Sequence, residues 1–482
     1  MRLLDFKSEP HCVSGGGGSR RVMATPAAYA VGLVWSLFLT VIGSCFFAAP
    51  ASAQGPICKA GVAKKIITPD GPLWMAGYGS RNKPCVEKQH DLWVKALALQ
   101  DGTKHTCVIL TSDLCGFPRS VSEPVCDAVM KATGLTRADI MMTCSHTHCG
   151  PVVAGNLMDM YPMTAEQTAA VVKYTETLKA SMTEVMIEAV KNLKSAFIQV
   201  GEGTARFAVN RREVTPTGVT NGNNPTGPTD HSVPVLKVWD GSKNVTAILF
   251  GYACHNTTMS YFKWSGDYAG FAQIELEKAY PGCPAMFWAG CGADANPLPR
   301  SRIELCEKYG KELAAAVKDA VNGDKMTPLS ARLTTKYEEV TLPLDKIPGK
   351  ETWEAEVGSK SIAHAKRAEK FLTLLRNGTP IPKEYTHYPV QVWKFGDQLT
   401  WAALGGEVVI DYNRRLKKEI GAKNLTWIGG YANDVVAYIP SERVLKEGGY
   451  EADFSQVYYG LPTKWALGLE DVIVKKTLEL AK

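Results

Sequence analysis

The segment DIMMTCSHTHCGP, residues 139–151, is an apolar run that ends abruptly in two histidines. It reads as a β-strand, and His146 and His148, two residues apart, would then project from one face of it. VTAILFGYACHNTT (245–258) repeats the pattern with His255 at its exit, and AMFWAGCGADANP (285–297) repeats it with Asp294 and Asn296. Three strand-type segments ending in polar, ligating groups point beyond the carboxyl ends of a sheet, where α/β proteins bind their ligands.

Working outward, VKALALQ (94–100), CVILTSDL (107–114) and VPVLKVW (233–239) also read as strands. YPVQVWKF (388–395) and QLTWAALGG (398–406) flank Gly396-Asp397, a hairpin signal. Helical periodicity marks 168–193, 271–280, 302–321, 364–376, 407–420 and 469–481. Alternation of this kind predicts an α/β fold, layered mixed β-sheets flanked by helices, in a single large domain. The Gly/Asn/Pro/Thr-rich stretch 215–230 reads as a long surface loop.

Composition agrees with a folded chain. Of 482 residues, 45% are apolar and 21% charged, which excludes a disordered, collagenous or multi-span membrane protein. The net charge of +6 is spread among 54 basic and 48 acidic residues without a basic block, so no nucleic-acid partner is expected. Residues 1–53 carry a secretory leader pattern: Arg20 and Arg21, an apolar run from Val31 to Ala49, then Ala-Ser-Ala at 51–53. A secreted or periplasmic protein follows, or a membrane-anchored one if the leader is not cleaved, with the functional domain at 54–482. Of thirteen cysteines, eleven lie between Cys58 and Cys306, an odd number that leaves at least one unpaired within the chain. Cys58 with Cys85, or Cys283 with Cys291, would close short loops.

The two histidines of HTH suit zinc, since neutral imidazole is among its common ligands. Glu407 opens a helix-like segment after Gly405-Gly406, and an acidic residue there is favoured by the helix dipole alone. Tyr438 and Tyr450, twelve residues apart, read on spacing alone as packing rings. Cys144 alternates with His146 and His148, and Cys254 precedes His255, so a thiolate-ligated, more structural metal site is a rival reading.

Taken together, the motifs resemble the neutral/alkaline non-lysosomal ceramidase family. SHTHCGP resembles that family's THTHSGP, SGDYAGFA its SGDNKGYA, and WAGCGADANP its NxGDVSPN. GGEVVIDYNRR is similar to GEFTTMAGRR, and YANDVVAYIPSERVLKEGGYE to YANxYxxYVTTxEEYxxQxYEGG. GVAKKIITPDGPLWMAGYGS resembles the family's opening, and the segments keep the family's order from Gly61 to about Tyr450.

The resemblance implies a zinc-dependent amidohydrolase that cleaves an N-acyl amide by attack of zinc-bound water. Carried over by motif, the Zn2+ ligands are His146, His255, Glu407 and Tyr438. His148 and Tyr450 are the catalytic pair, and Arg211 in FAVNRRE, similar to the family's INRSP, binds substrate. Two departures matter. The serine of GDVSP is replaced by Ala295 or Asn296, which removes a serine nucleophile. The family's C-terminal immunoglobulin-like domain has no counterpart in the short segment after Tyr450, so the substrate is a ceramide-like lipid or a smaller N-acyl compound. Contact with a membrane surface accompanies the lipid option. A non-catalytic exported zinc-binding or surface protein, and a zinc esterase, are the alternative functions.

Overall fold

The computed structural model describes residues 58–329, 332–421 and 425–482, all within one compact unit. The leader expected at 1–53 lies outside the described residues. Among the described residues, no helix is long and apolar enough to cross a membrane.

Eight strands build the larger sheet: β1 (Cys58–Ile66), β2 (Trp93–Gln100), β3 (Thr106–Ser112), β4 (Ile140–Cys144), β5 (Lys194–Thr204), β6 (Ser232–Trp239), β7 (Val245–Tyr252) and β8 (Ala285–Ala289). Their order is β8-β7-β6-β5-β1-β2-β3-β4, with Thr327–Pro328 paired to β5 as a ninth short strand. Pairing is antiparallel through the middle and parallel at both edges, β3 with β4 and β7 with β8. Each parallel pair is joined by a helix, Arg119–Thr133 or Asp267–Ala279, as such pairs require a crossover. A second sheet consists of β9 (Leu333–Pro343), β10 (Glu384–Phe395), β11 (Leu399–Leu404) and β12 (Leu425–Gly429).

Period-2 alternation divides the side chains of the larger sheet between two cores. Val94, Ala96, Val108, Leu110, Ile248 and Phe250 face helices such as Ala165–Lys191 and Ile303–Asn322. Leu97, Ile109, Met141, Leu249 and Trp288 face the second sheet, where Trp393, Trp401 and Trp427 meet them. The far side of the second sheet, with Val390, Ala402 and Ile428, is covered by helices Ile410–Ile420 and Leu469–Ala481. The result is four layers, helix, sheet, sheet, helix, in agreement with the layered α/β expectation.

The chain after β12 crosses both edges of the larger sheet. Gly430 N–H donates to Ala289 O of β8 at 3.1 Å, and Asn433 N–H donates to Met142 O of β4 at 2.7 Å. Isolated bridges Gly290–Gly429 and Thr143–Ala432 mark the same crossing. The exits of β4 and β7 are joined directly by a Thr147–Asn256 bridge. The ends of β4, β7 and β11 thus converge at one place.

Four local expectations are corrected. The strand at 139–148 stops at Cys144, because His146 takes a left-handed backbone (φ 60°) that ends extended pairing. Glu407 lies in a two-residue strand, Glu407–Val408, rather than a helix, which starts at Ile410. Most of the loop at 215–230 is ordered as a hairpin of Ala208–Thr215 with Gly218–Asn224. The cysteines Cys58 to Cys306 are all buried free thiols, so neither suggested pair is formed.

Trp401 sits in the inter-sheet core at 1% exposure, its ring 5.1 Å from that of Trp288 and 5.5 Å from that of Trp427. Trp401→Ala is expected to cost about 3–5 kcal/mol in urea unfolding, as for a large ring removed from a packed core.

Candidate metal centre

His146 and His255 are held in the same way. The Nδ1 of His146 lies 2.6 Å from Cys115 O, and that of His255 lies 2.9 Å from Gly292 O. A carbonyl only accepts, so each Nδ1 carries a proton and each Nε2 is turned inward, free to lose its own proton to an ion. The left-handed turn at His146 and the packing of its ring on Tyr431, 4.5 Å between centroids, fix its direction.

Glu407 approaches from the second sheet. Gly405-Gly406 ends β11, and Gly406 adopts φ 72°, where a side chain would meet Ala437 O and Ile439. Glu407–Val408 then pairs in parallel with Tyr438–Ile439, which sets Glu407 beside Tyr438. Its Oε2 stands 3.1 Å from His146 Nε2 and 3.2 Å from His255 Nε2, and accepts no hydrogen bond. One ligand atom from each of these three residues lies within 4.8 Å of the others.

Three acceptor atoms facing one another in a buried site repel unless a cation or proton lies among them. The donor set of two imidazole nitrogens and a carboxylate oxygen is the kind zinc accepts. Tyr438 Oη adds a fourth, 3.2 Å from His255 Nε2, and it accepts a hydrogen bond from Arg211 Nη2 at 3.0 Å. The residues present therefore fit a divalent cation. The four expected ligands are brought together.

The remaining expected residues border them. His148 Nε2 is 3.1 Å from His146 Nε2, while its Nδ1 is buried with no partner. Gly77 makes room for that ring: with φ 96°, a Cβ there would stand 2.4 Å from His148 Cγ. The Tyr450 ring packs edge-on against Tyr438, centroids 5.5 Å apart, and the Arg211 guanidinium lies over both rings. Arg211 Nε donates to Glu451 Oε1 at 2.8 Å, Arg212 donates to the other oxygen at 2.7 Å, and Arg211 Nη1 reaches Asn296 Oδ1 at 3.3 Å.

Cys144 does not enter the nitrogen cluster. Its thiol points to Cys115 O and Tyr431 O. The nearer thiol is Cys115, 3.7 Å from His146 Nδ1, on the nitrogen already committed to a carbonyl.

Electrostatics reflect the crowding. Burial raises the Glu407 pKa, yet His146 and His255 beside it carry the carboxyl well below its usual range. Burial lowers that of His146, but the Glu407 charge takes it up to about 10. Burial and then Arg211 bring His255 down to about 3. Burial and the two neighbouring imidazoles hold His148 well below its ordinary value, so it is neutral. Burial keeps the Tyr450 phenol protonated, with its pKa raised.

Several residues around the site were not singled out in the sequence. Tyr431 and Glu451 stand at the two ends of YANDVVAYIPSERVLKEGGYE without a role of their own there, Tyr459 lies beyond that motif, and the fold carries all three to the cluster. Asp294, singled out at a strand exit, instead accepts from Ile410 N–H at 2.9 Å and ties down the start of that helix.

The family described as neutral/alkaline non-lysosomal ceramidase, N-terminal, matches residues 59–334. The chain belongs to this family. It is thereby an amide hydrolase of the ceramidase kind. The match contains His146, His148, Arg211 and His255 but ends before Glu407, Tyr438 and Tyr450. Two solved structures share the fold. "Ceramidase complexed with C2" aligns with a TM-score of 0.68 at 15% identity, covering 88% of this chain and 75% of that one. Neutral ceramidase from Pseudomonas aeruginosa aligns with a TM-score of 0.67 at 16% identity, covering 88% and 74%. No curated protein sequence matches the chain.

Gly77→Ala should lower the melting temperature and displace His148, because the new methyl meets the imidazole and the backbone is left-handed; the strain alone costs on the order of 1–3 kcal/mol. Asp434 supplies a pH test. Its carbonyl accepts from Gly406 N–H at 2.7 Å, its carboxylate from Arg119 N–H at 3.0 Å, and burial raises its pKa to about 6. The folded state then holds this proton more tightly than the unfolded chain, so stability present below about pH 4 is lost as pH rises through 6. Relative to Asp434→Asn, the wild type should lose about 3 kcal/mol between pH 4 and 7 in denaturant titrations.

Proposed function

We propose that the protein is an exported zinc-dependent amidohydrolase that cleaves the N-acyl amide bond of a ceramide-like lipid or a smaller N-acyl compound. The observation that carries this reading is the convergence of His146 Nε2, His255 Nε2 and Glu407 Oε2, all buried and within 4.8 Å of one another. His146, His255, Glu407 and Tyr438 would hold the ion. A zinc ion there lowers the pKa of its water to about 7 and polarises an amide oxygen.

The neighbouring residues supply the rest. His146 and His255 are each clamped at Nδ1 by a carbonyl, whereas His148 has no such clamp, so either of its nitrogens can carry the proton. That freedom suits a group that takes a proton from the attacking water and gives it to the leaving amine. Tyr450, a protonated phenol beside Tyr438, is placed to donate to the oxygen on which charge develops, an effect worth about 3–4 kcal/mol for one good donor. Arg211 holds the Tyr438 oxygen, and its charge is already met by Glu451. It therefore offers N–H groups rather than an unpaired charge, which favours a neutral, hydroxyl-bearing amine half over an anionic one.

Metal analysis with paired acyl-amide and acyl-ester assays tests the reading. His148→Ala and Tyr450→Phe should keep the zinc and lose about 100-fold or more in kcat. His255→Ala should lose both zinc and turnover. A fully zinc-loaded wild type inactive on every amide and ester would favour a binding or surface role, and ester-only turnover an esterase. N-terminal sequencing of exported protein, expected to begin at Gln54, checks the leader.

A further inference from the structure

We infer that Tyr459 is a positioning residue for the metal centre, one that sets which oxygen of Glu407 is offered to the ion. The inference rests on the metal reading above and adds a residue to it. Glu407 has two oxygens in unlike surroundings. Oε2 faces the two imidazole Nε2 atoms at 3.1 and 3.2 Å, whereas Oε1 accepts a hydrogen bond from the Tyr459 phenol. A carboxylate only accepts, so the phenol is the donor.

That bond occupies Oε1 and leaves Oε2 as the ligand atom. Without it, the carboxylate is free to rotate about its last torsion, which is broad for this side chain, and to offer either or both oxygens. Partners of metal-bound side chains commonly act in this way, and losing one typically lowers metal affinity 10- to 100-fold.

Tyr459 is itself firmly seated. It lies at the end of the 3-10 turn Gln456–Tyr459, its ring 6.4 Å from the Tyr438 ring. Another part of the residue borders a cavity of about 310 Å3 lined by Leu344, Phe371, Leu374, Val436 and Leu461. Tyr459 thus lies between this pocket, which Arg119, Lys370 and Asp434 also line, and the carboxylate. Two roles, packing by the ring and donation by the hydroxyl, can be separated by substitution. Tyr459→Phe removes only the hydroxyl, and Tyr459→Leu removes the ring as well.

The test is zinc affinity of the full chain, measured with zinc alone against a competing chelator, together with the melting temperature of the metal-free protein. Tyr459→Phe is expected to bind zinc 10- to 100-fold more weakly while its metal-free melting temperature stays near wild type. Tyr459→Leu should weaken zinc at least as much. If Tyr459→Phe binds within twofold of wild type, the hydroxyl does not position Glu407, and the inference is overturned even though the metal reading stands. If Tyr459→Phe binds normally and Tyr459→Leu alone is impaired, the residue acts by packing, which also overturns it. A wild-type chain that takes up no zinc would overturn the metal reading, and with it this one.

Discussion

The segment that follows β12 is the constraint on which the rest depends. By pairing Gly430 with Ala289 and Asn433 with Met142, it fastens both edge strands of the larger sheet to the end of the smaller one. Edge strands otherwise present unpaired backbone groups, and this crossing satisfies some of them while fixing the distance between the two sheets' ends. His146 leaves β4, His255 leaves β7 and Glu407 leaves β11, so a single crossing segment governs whether the three can meet. The tryptophan layer between the sheets keeps that arrangement from sliding.

The meeting itself is electrostatically unfavourable for an empty shell of acceptors, and this is why it is informative. A protein gains no stability by aiming a buried carboxylate oxygen at two imidazole nitrogens unless a proton or a cation lies among them. Both Nδ1 atoms are locked on carbonyls, so the rings cannot turn to relieve the conflict without breaking those bonds. His148, lying next to them without a lock of its own, and Arg211, whose charge is spent on Glu451, show how differently the same chemical groups are treated a few ångströms away. Ligation and proton transfer place opposite demands on an imidazole, and on the proposed reading they fall to neighbours two residues apart.

The fold class and the strand-ending histidines were legible in the sequence because period-2 apolar runs of Val, Ile, Leu and Phe carry strong local signals. The boundaries around the histidines were not. The left-handed backbone of His146 comes directly after the last ladder bond, from Ser145 N–H to Ser112 O, and no local preference announces it. Glu407 read as the start of a helix for a sound reason, since acidic residues favour that place, but pairing with Tyr438 holds it in extended backbone and delays the helix to Ile410. Tyr438 and Tyr450 could be assigned only through resemblance, because a tyrosine that packs and one that ligates look alike in a string of letters. Tyr459 depends wholly on three-dimensional placement. The hairpin at 208–224 was hidden by glycine and asparagine, residues that usually mark turns.

The buried, unpaired thiols have a bearing on how the molecule is made. A fold stapled by disulfides needs an oxidant before it can mature, but this one is closed by packed layers alone, with each described sulfur shielded inside. Among the described residues reductants therefore find no cross-link to cut, and the folded domain should be recovered with the same free thiols from a reducing cytosol as from an oxidising compartment.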